Sequence, residues 1–204
     1  MKKNKKKKRY VLLTLREDYI VKRNERRDAV DQRIISWILK LNLIPILISN
    51  KSDLKFIKLI NPVGLILSGG NDIDPKSNRF KTEKKLINWA KKNKKPLLGI
   101  CHGLQMIAYL NGSKMKKVKG HVNTKHKLIS VSKKIKFPKK VNSFHNLTLA
   151  NCPKNFLVTA YSPEYFIEAI KHSFLKWEGW MWHPERDKKF NKLLIKRARK
   201  LFTE

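Results

Sequence analysis

The stretch Leu97-Leu98-Gly99-Ile100-Cys101-His102-Gly103-Leu104-Gln105-Met106 constrains this chain more than any other. Apolar and small residues run straight into a cysteine, and a helix-compatible segment follows. Gly99-x-Cys101-x-Gly103 has the form of a nucleophile elbow, a sharp strand-to-helix turn. Strand and helix close on each other there, so the neighbours of the nucleophile must be small. The thiol then sits at a helix N-terminus, where free N–H groups and the helix dipole favour the thiolate. The competing reading is a buried cysteine at a strand end, since free cysteine is among the most buried residue types.

The flanking sequence supports the elbow. Tyr10 to Leu15, Leu43 to Ile48, Val63 to Leu67 and Leu97 to Ile100 are short apolar runs that suit buried strands. Pro45 favours an early or edge position for the second of them. Between them, Ala29 to Leu41 and Glu83 to Asn93 carry apolar residues at helical spacing. Leu54 to Ile60 reads as a short helix broken by Asn61-Pro62, and Asn24 to Asp28 as a charged turn. His102 to Leu110 is the helix after the elbow, ended by Asn111-Gly112. Strand and helix alternating at this spacing predict an α/β fold with an open, mainly parallel central sheet flanked by helices. Ligands bind such sheets at the carboxyl ends of the strands. Ser68-Gly69-Gly70 and Cys101 both fall at such ends, so a shared cleft is expected.

The second half changes character. Val118 to Val141 is basic and reads as strands and turns, and Val141 to Asn146 as a polar loop. Leu157 to Tyr161, Phe166 to Ile170 and Phe174 to Trp177 suggest a small antiparallel region. Trp180-Met181-Trp182 is a last strand with both tryptophans on one face, opposite Met181. Lys188 to Phe202 closes the chain as an amphipathic helix, with Leu193, Leu194, Ala198 and Leu201 inward. The domain organisation is then a basic disordered tail over residues 1–9 and a single domain over 10–204.

Composition narrows the function classes. The 204 residues hold only two cysteines, which is no disulfide framework and points to a reducing, cytoplasmic setting. No apolar run approaches the ~20 residues that a membrane helix needs. The net charge of +33 admits a nucleic-acid or anionic partner. The excess is spread along the chain and mostly lysine, as AT-rich codon usage would produce, and no zinc-finger or RNA-binding signature accompanies it. The reading is therefore against nucleic acid, while a polyanionic small substrate is compatible with the charge.

A nucleophilic thiol needs a base, and the base an orienting group. His183 follows an apolar strand, and Glu185 lies two residues on across Pro184, close enough for its carboxylate to reach back. Cys101, His183 and Glu185 can thus fill the three roles of a catalytic triad. The oxyanion hole falls to the N–H of His102, the residue after the nucleophile, and to that of Gly70. Cys152 has no elbow and is read as inert. His121 and His126, without a third ligand, make a poor metal site and read as structural or substrate-lining. His145 is either a cleft residue or a surface loop residue.

Three separated pieces carry a resemblance: Leu67-Ser68-Gly69-Gly70-Asn71-Asp72, Gly99-Ile100-Cys101-His102-Gly103-Leu104-Gln105 and Trp182-His183-Pro184-Glu185. In order and spacing they resemble the class I glutamine amidotransferases, a flavodoxin-like fold, from about Tyr10 to the end. Val141-Asn142-Ser143-Phe144-His145-Asn146 is similar to the substrate loop of the γ-glutamyl hydrolase branch, which includes γ-glutamyl-GABA hydrolases and γ-glutamyl-CDP-amidate hydrolases. The resemblance implies that Cys101 forms a γ-glutamyl thioester, that His183 held by Glu185 moves the proton, and that Gly70 and His102 bind the oxyanion. It places Gln105, Asn142, Ser143 and Phe144 near the glutamyl group, and implies neither a metal nor an organic cofactor. Arg79 matches a feature of the branch and Glu83 fits, but Phe80 stands where an Asp is usual, and the loop Pro75 to Asn78 is short. The compact size, the segment Gly120 to His126 and the ending Trp182-His183-Pro184-Glu185-Arg186 are more similar to the CDP-amidate group, which works in modifying surface (capsule) polysaccharides.

Three rivals stand beside this reading. One is a glutaminase component that delivers ammonia to a separate synthase. A second is a related protease or deglycase chemistry through the neighbouring Cys101-His102 pair. The third is a nucleic-acid binder on an inactive amidotransferase fold.

Overall fold

Four short runs that are buried along their whole length, or nearly so, supply the inner strands, as expected where helices cover both faces of a sheet. The structure, a computed structural model, describes residues 8–132 and 134–203. Most of the lysine run expected as a tail lies outside the described residues. Arg9, placed in that tail by the sequence, is instead tied down: its carbonyl accepts from the Ile44 N–H at 2.8 Å and its guanidinium bonds the Phe202 carbonyl.

In chain order, β1 (Tyr10–Thr14) is followed by a hairpin, β2 (Arg16–Ile20) and β3 (Glu25–Ala29). Then come α1 (Gln32–Lys40), β4 (Ile44–Ile48), the single-turn α2 (Ile57–Ile60), β5 (Gly64–Leu67), α3 (Asn78–Lys92), β6 (Leu97–Ile100) and α4 (His102–Leu110). The second half holds β7 (Met115–Lys117), β8 (Val122–Lys127), β9 (Ile129–Ser130), β10 (Lys140–Phe144) and β11 (Leu147–Leu149). It ends with β12 (Phe156–Tyr161), β13 (Ile167–His172), β14 (Trp177–Trp180) and α5 (Lys192–Thr203).

The central sheet has eight strands in the order β4-β1-β5-β6-β14-β13-β12-β9. The first five run parallel, in the 2-1-3-4-5 order of doubly wound flavodoxin-like sheets. The last three are antiparallel. The mainly parallel sheet with an antiparallel second half is thus borne out, and β4, with Pro45, is an edge. One core packs Val11, Leu13, Ile66, Leu98 and Ile100 under α1 and α5; the other packs Leu12, Leu65, Leu67 and Leu97 under α3 and α4. Among the described residues no helix is long and apolar enough to cross a membrane.

The differences from expectation have local causes. The hairpin β2–β3 was hidden because its ten residues are charged or half-exposed and show no apolar alternation. Ser77 caps α3 by accepting from the Phe80 N–H at 3.1 Å, so that helix starts a turn before its apolar stripe. Val141 to Phe144 is strand, not loop: β10 pairs antiparallel with β8 while burying polar side chains. Phe174 to Lys176 is a turn, and the strand is Trp177–Trp180. Leu193 faces solvent, and α5 buries Phe202 instead. Trp180 and Trp182 do share one face, stacked at 5.7 Å, with Met181 in the opposite core.

Gly99 and Gly103 hold α4 against the sheet. A Cβ on Gly103 would lie 2.4 Å from the Leu67 carbonyl oxygen, and one on Gly99 would lie 2.5 Å from the Gly103 carbonyl carbon. Backbone stands in both places, so no side chain can swing away. Gly103→Ala is expected to destabilise the fold by about 1–3 kcal/mol, read as a lowered urea midpoint with unchanged m-value.

Candidate active site

Cys101 joins β6 to α4 with φ 51° and ψ −104°, a backbone conformation costly for a residue with a Cβ. Its N–H donates to the Trp180 carbonyl at 2.7 Å and its carbonyl accepts from the Gln105 N–H at 3.1 Å. The elbow is thereby fastened to β14, the strand that leads to His183. Asn142 of β10 clamps His183 from the other side: its Oδ1 accepts from the His183 N–H at 2.9 Å and its Nδ2 donates to the His183 carbonyl at 2.8 Å. A short 3-10 turn, Pro184–Arg186, brings Glu185 back, so that its Oε1 lies 2.6 Å from His183 Nδ1. Cys101 lies beside the same imidazole, near enough to help raise its pKa. Thiol, imidazole and carboxylate therefore stand in series, all buried.

Burial, the largest influence on His183, pushes its pKa down. Cys101 and the bonded Glu185 together outweigh it and raise the group from 6.5 to about 9. The environment thus favours an imidazolium beside the sulfur, the condition under which a cysteine is reactive. Gly69 lies directly under the ring: a Cβ there would approach His183 Cε1 to 2.4 Å. Gly70 follows with φ 135°. His102 is the first residue of α4, and its N–H has no acceptor within the helix. A cleft of about 330 Å³ opens beside His183, walled by Gly69, Gly70, Arg16, Asp31 and Arg186.

The remaining expected residues divide. Phe144 meets the His183 ring edge-on at 5.7 Å and carries the Arg186 guanidinium over its face at 4.5 Å. Gln105 is buried and donates to the Leu147 carbonyl at 3.1 Å. Asn142 uses its amide on the His183 backbone, and Ser143 Oγ donates to the His121 carbonyl at 2.7 Å. Cys152 is half-buried, its thiol donating to the Phe156 carbonyl; burial raises its pKa, in keeping with an inert role.

Arg79 and Glu83, noted in the sequence only as fitting the resemblance, belong to a buried network under the elbow. Glu83 accepts from Thr14 Oγ1 at 2.8 Å and Arg79 Nε at 3.0 Å, and lies 2.8 Å from His102 Nε2. Arg79 also donates to the Ser68 carbonyl at 2.8 Å. One ion pair thus fastens the ends of β1 and β5 to the start of α4. Its signal was the i, i+4 spacing of Arg79 and Glu83, visible only as a pairing between helix residues. The His102 side chain is committed to this network, away from the chemistry that the neighbouring-pair rival requires. Burial raises the Glu83 pKa, but Arg79 and His102 outweigh it and bring it to about 2.

Glu83→Gln leaves the Arg79 guanidinium buried without its counter-charge, and a loss of about 3–5 kcal/mol in unfolding free energy is expected. His183 binds its proton more tightly folded than unfolded. Its contribution to stability is full below about pH 6.5 and is lost as pH rises through about 9. The stability difference between the wild type and His183→Gln, measured by urea denaturation, should therefore shrink between about pH 6 and about pH 9.5.

The family model described as glutamine amidotransferase class-I matches residues 25–198. A γ-glutamyl-CDP-amidate hydrolase of Campylobacter jejuni is 34% identical over 161 residues, 76% of this chain and 77% of that one. A glutamine-hydrolysing GMP synthase subunit of Pyrococcus abyssi is 33% identical over 147 residues, 68% of this chain and 74% of its own. Among solved structures, a putative GMP synthase subunit from Thermoplasma acidophilum superposes with a TM-score of 0.73 at 22% identity, covering 96% of this chain and 93% of its own. A glutamine amidotransferase from Thermotoga maritima superposes with a TM-score of 0.66 at 19% identity, over 94% and 83%. Family match, relatives and fold agree, and the chain belongs to the class I glutamine amidotransferase family.

Proposed function

We propose that this chain is a cysteine-dependent hydrolase that cleaves a γ-glutamyl C–N bond through a thioester on Cys101. The observation that carries the reading is the buried series Cys101, His183 and Glu185 at the carboxyl ends of adjacent parallel strands, with His183 Nδ1 2.6 Å from Glu185 Oε1. In this mechanism the Cys101 thiolate attacks the γ-carbonyl carbon. A C–S bond forms and the carbonyl oxygen takes up the electron pair, facing the N–H groups of His102 and Gly70. As the tetrahedral species collapses, the C–N bond breaks and the His183 imidazolium gives its proton to the leaving nitrogen. Water then attacks the thioester, His183 takes its proton, and glutamate leaves as the sulfur is released. Glu185 fixes the imidazole with Nδ1 protonated and leaves Nε2 for this traffic. Gln105 and the Asn142–Phe144 segment are assigned to the glutamyl side, Phe144 by its contact with His183 and Asn142 by holding that histidine.

The leaving group is assigned to the anionic class, a nucleotide amidate such as the Campylobacter relative's name describes. The cleft beside His183 has Arg16 and Arg186 in its walls, beside Asp18, Asp31 and Glu185. Arg16 is paired with Asp18 at 2.7 Å, so the cation assigned to the anion is Arg186, whose Nε lies 3.9 Å from Glu185 Oε1 and has no hydrogen-bond partner. A role in modifying surface polysaccharides would follow from such a product. The GMP synthase relatives favour a second reading, release of ammonia from glutamine for a separate synthase.

Product analysis on free glutamine and on a γ-glutamyl nucleotide amidate separates the two. The expected result is turnover of the amidate, little turnover of glutamine, and loss of both in Cys101→Ser. Turnover of glutamine alone, or only with an added synthase, would establish the second reading. Arg186→Ala is expected to raise KM for the amidate about tenfold, the loss of one charge-assisted contact, with little change for glutamine.

A further inference from the structure

Away from the triad, three imidazoles and one carboxylate converge on a single point. His121 precedes β8, His126 lies on β8, His145 follows β10 and Glu168 lies on β13. One ligand atom from each lies within 4.8 Å of all the others. Glu168 is completely buried, and neither of its oxygens has a hydrogen-bond partner; His126 Nε2 and His145 Nε2 are likewise unsatisfied. A buried carboxylate with no partner is costly unless something balances its charge.

The distances identify what balances it. Glu168 Oε1 lies 3.4 Å from His145 Nε2, 3.6 Å from His126 Nε2 and 3.7 Å from His121 Nδ1. Elsewhere in this molecule an imidazole and a buried carboxylate that share a proton close to 2.6 Å, at His183 and Glu185, or 2.8 Å, at His102 and Glu83. Donors held 2.0–2.1 Å from a tetrahedral zinc ion stand about 3.3–3.5 Å apart; the 3.4–3.7 Å separations around Glu168 are close to that spacing and longer than a shared proton allows. The outer contacts match as well. His126 Nδ1 faces the Lys127 carbonyl at 2.9 Å and His145 Nδ1 faces the Leu147 carbonyl at 3.1 Å. A carbonyl only accepts, so both Nδ1 atoms carry the hydrogen and both Nε2 lone pairs point inward. The exposed Glu164 carboxylate stands 3.6 Å from His121 Nε2, on the outer side of the cluster. Ser143 Oγ, 3.3 Å from His121 Nδ1, completes the surroundings.

We propose that His121, His126, His145 and Glu168 form a binding site for a divalent transition metal of the zinc class, which fastens the antiparallel β8–β10 pair to β13 of the central sheet. Three neutral imidazoles and a carboxylate fill a tetrahedral shell, the mark of a structural rather than a catalytic centre. The structure brings His145 and Glu168 to His121 and His126, which the sequence reading left without a third ligand, and a metal bound there departs from the expectation of none. The site does not depend on the proposed reaction. It bears on the active site through β10, whose Asn142 clamps the His183 backbone.

The test is Zn²⁺ titration of the full, tag-free chain after chelator treatment, followed by metal analysis, thermal denaturation and Co²⁺ substitution. The expected result is about one equivalent of Zn²⁺, a Tm raised by about 5 °C or more at saturating metal, and the visible bands of tetrahedral Co²⁺. Uptake should be lost in His126→Ala and in Glu168→Gln and kept in Cys101→Ser. His126 is the least buried of the four ligands, so its variant decides the matter if Glu168→Gln does not fold. Absence of stoichiometric binding overturns the proposal. So does binding that survives His126→Ala, or binding that is lost in Cys101→Ser.

Discussion

The close approach of α4 to the strands beneath it is the constraint on which the rest depends. Two glycines allow the helix backbone to lie against Leu67 and Gly99, and that contact forces the residue between them into a left-handed conformation. A side chain held this way cannot retreat into the core with its strand. The strain is met by hydrogen bonds from two sides, the Trp180 carbonyl on β14 and the first turn of α4. Beneath it, the Arg79–Glu83 pair fixes the strand ends that surround the elbow.

What the sequence revealed follows from how local each signal is. The inner strands were legible because parallel strands covered on both faces read as unbroken apolar runs. Cys101 and His183 were legible because each sits in a short piece with its own chemistry, Gly-x-Cys-x-Gly in one case and His-Pro-Glu in the other. The β2–β3 hairpin was not, since charged strands on a surface have no apolar period to read. Glu83 was legible as a fit to the resemblance but its burial was not: it lies among lysines on a helix whose polar residues look solvated, and only the fold shows that this one is wholly buried.

The three histidines and Glu168 make the limit plain. They come from strands and loops far apart in the chain, and no spacing among them announces a common centre. His121 and His126 alone looked incomplete, and the missing members lay beyond the reach of any local pattern. Glu168 in turn looks like an ordinary strand residue between apolar neighbours. A carboxylate with no exposure and no hydrogen bond is a property of the assembled molecule alone.

The position of β14 has a consequence for how the protein comes into being. This strand, late in the chain, inserts between β6 and β13 rather than adding at an edge. The cysteine and its histidine are neighbours only across that late insertion, a contact between residues distant in sequence. Contacts of this kind are costly to close and form slowly. During synthesis the segment of the elbow is made long before His183 and Glu185, so the surroundings of Cys101 are complete only once β14 is in place. A chain that stops short of Glu185 holds the elbow sequence without the imidazole and carboxylate that stand beside it in the folded molecule.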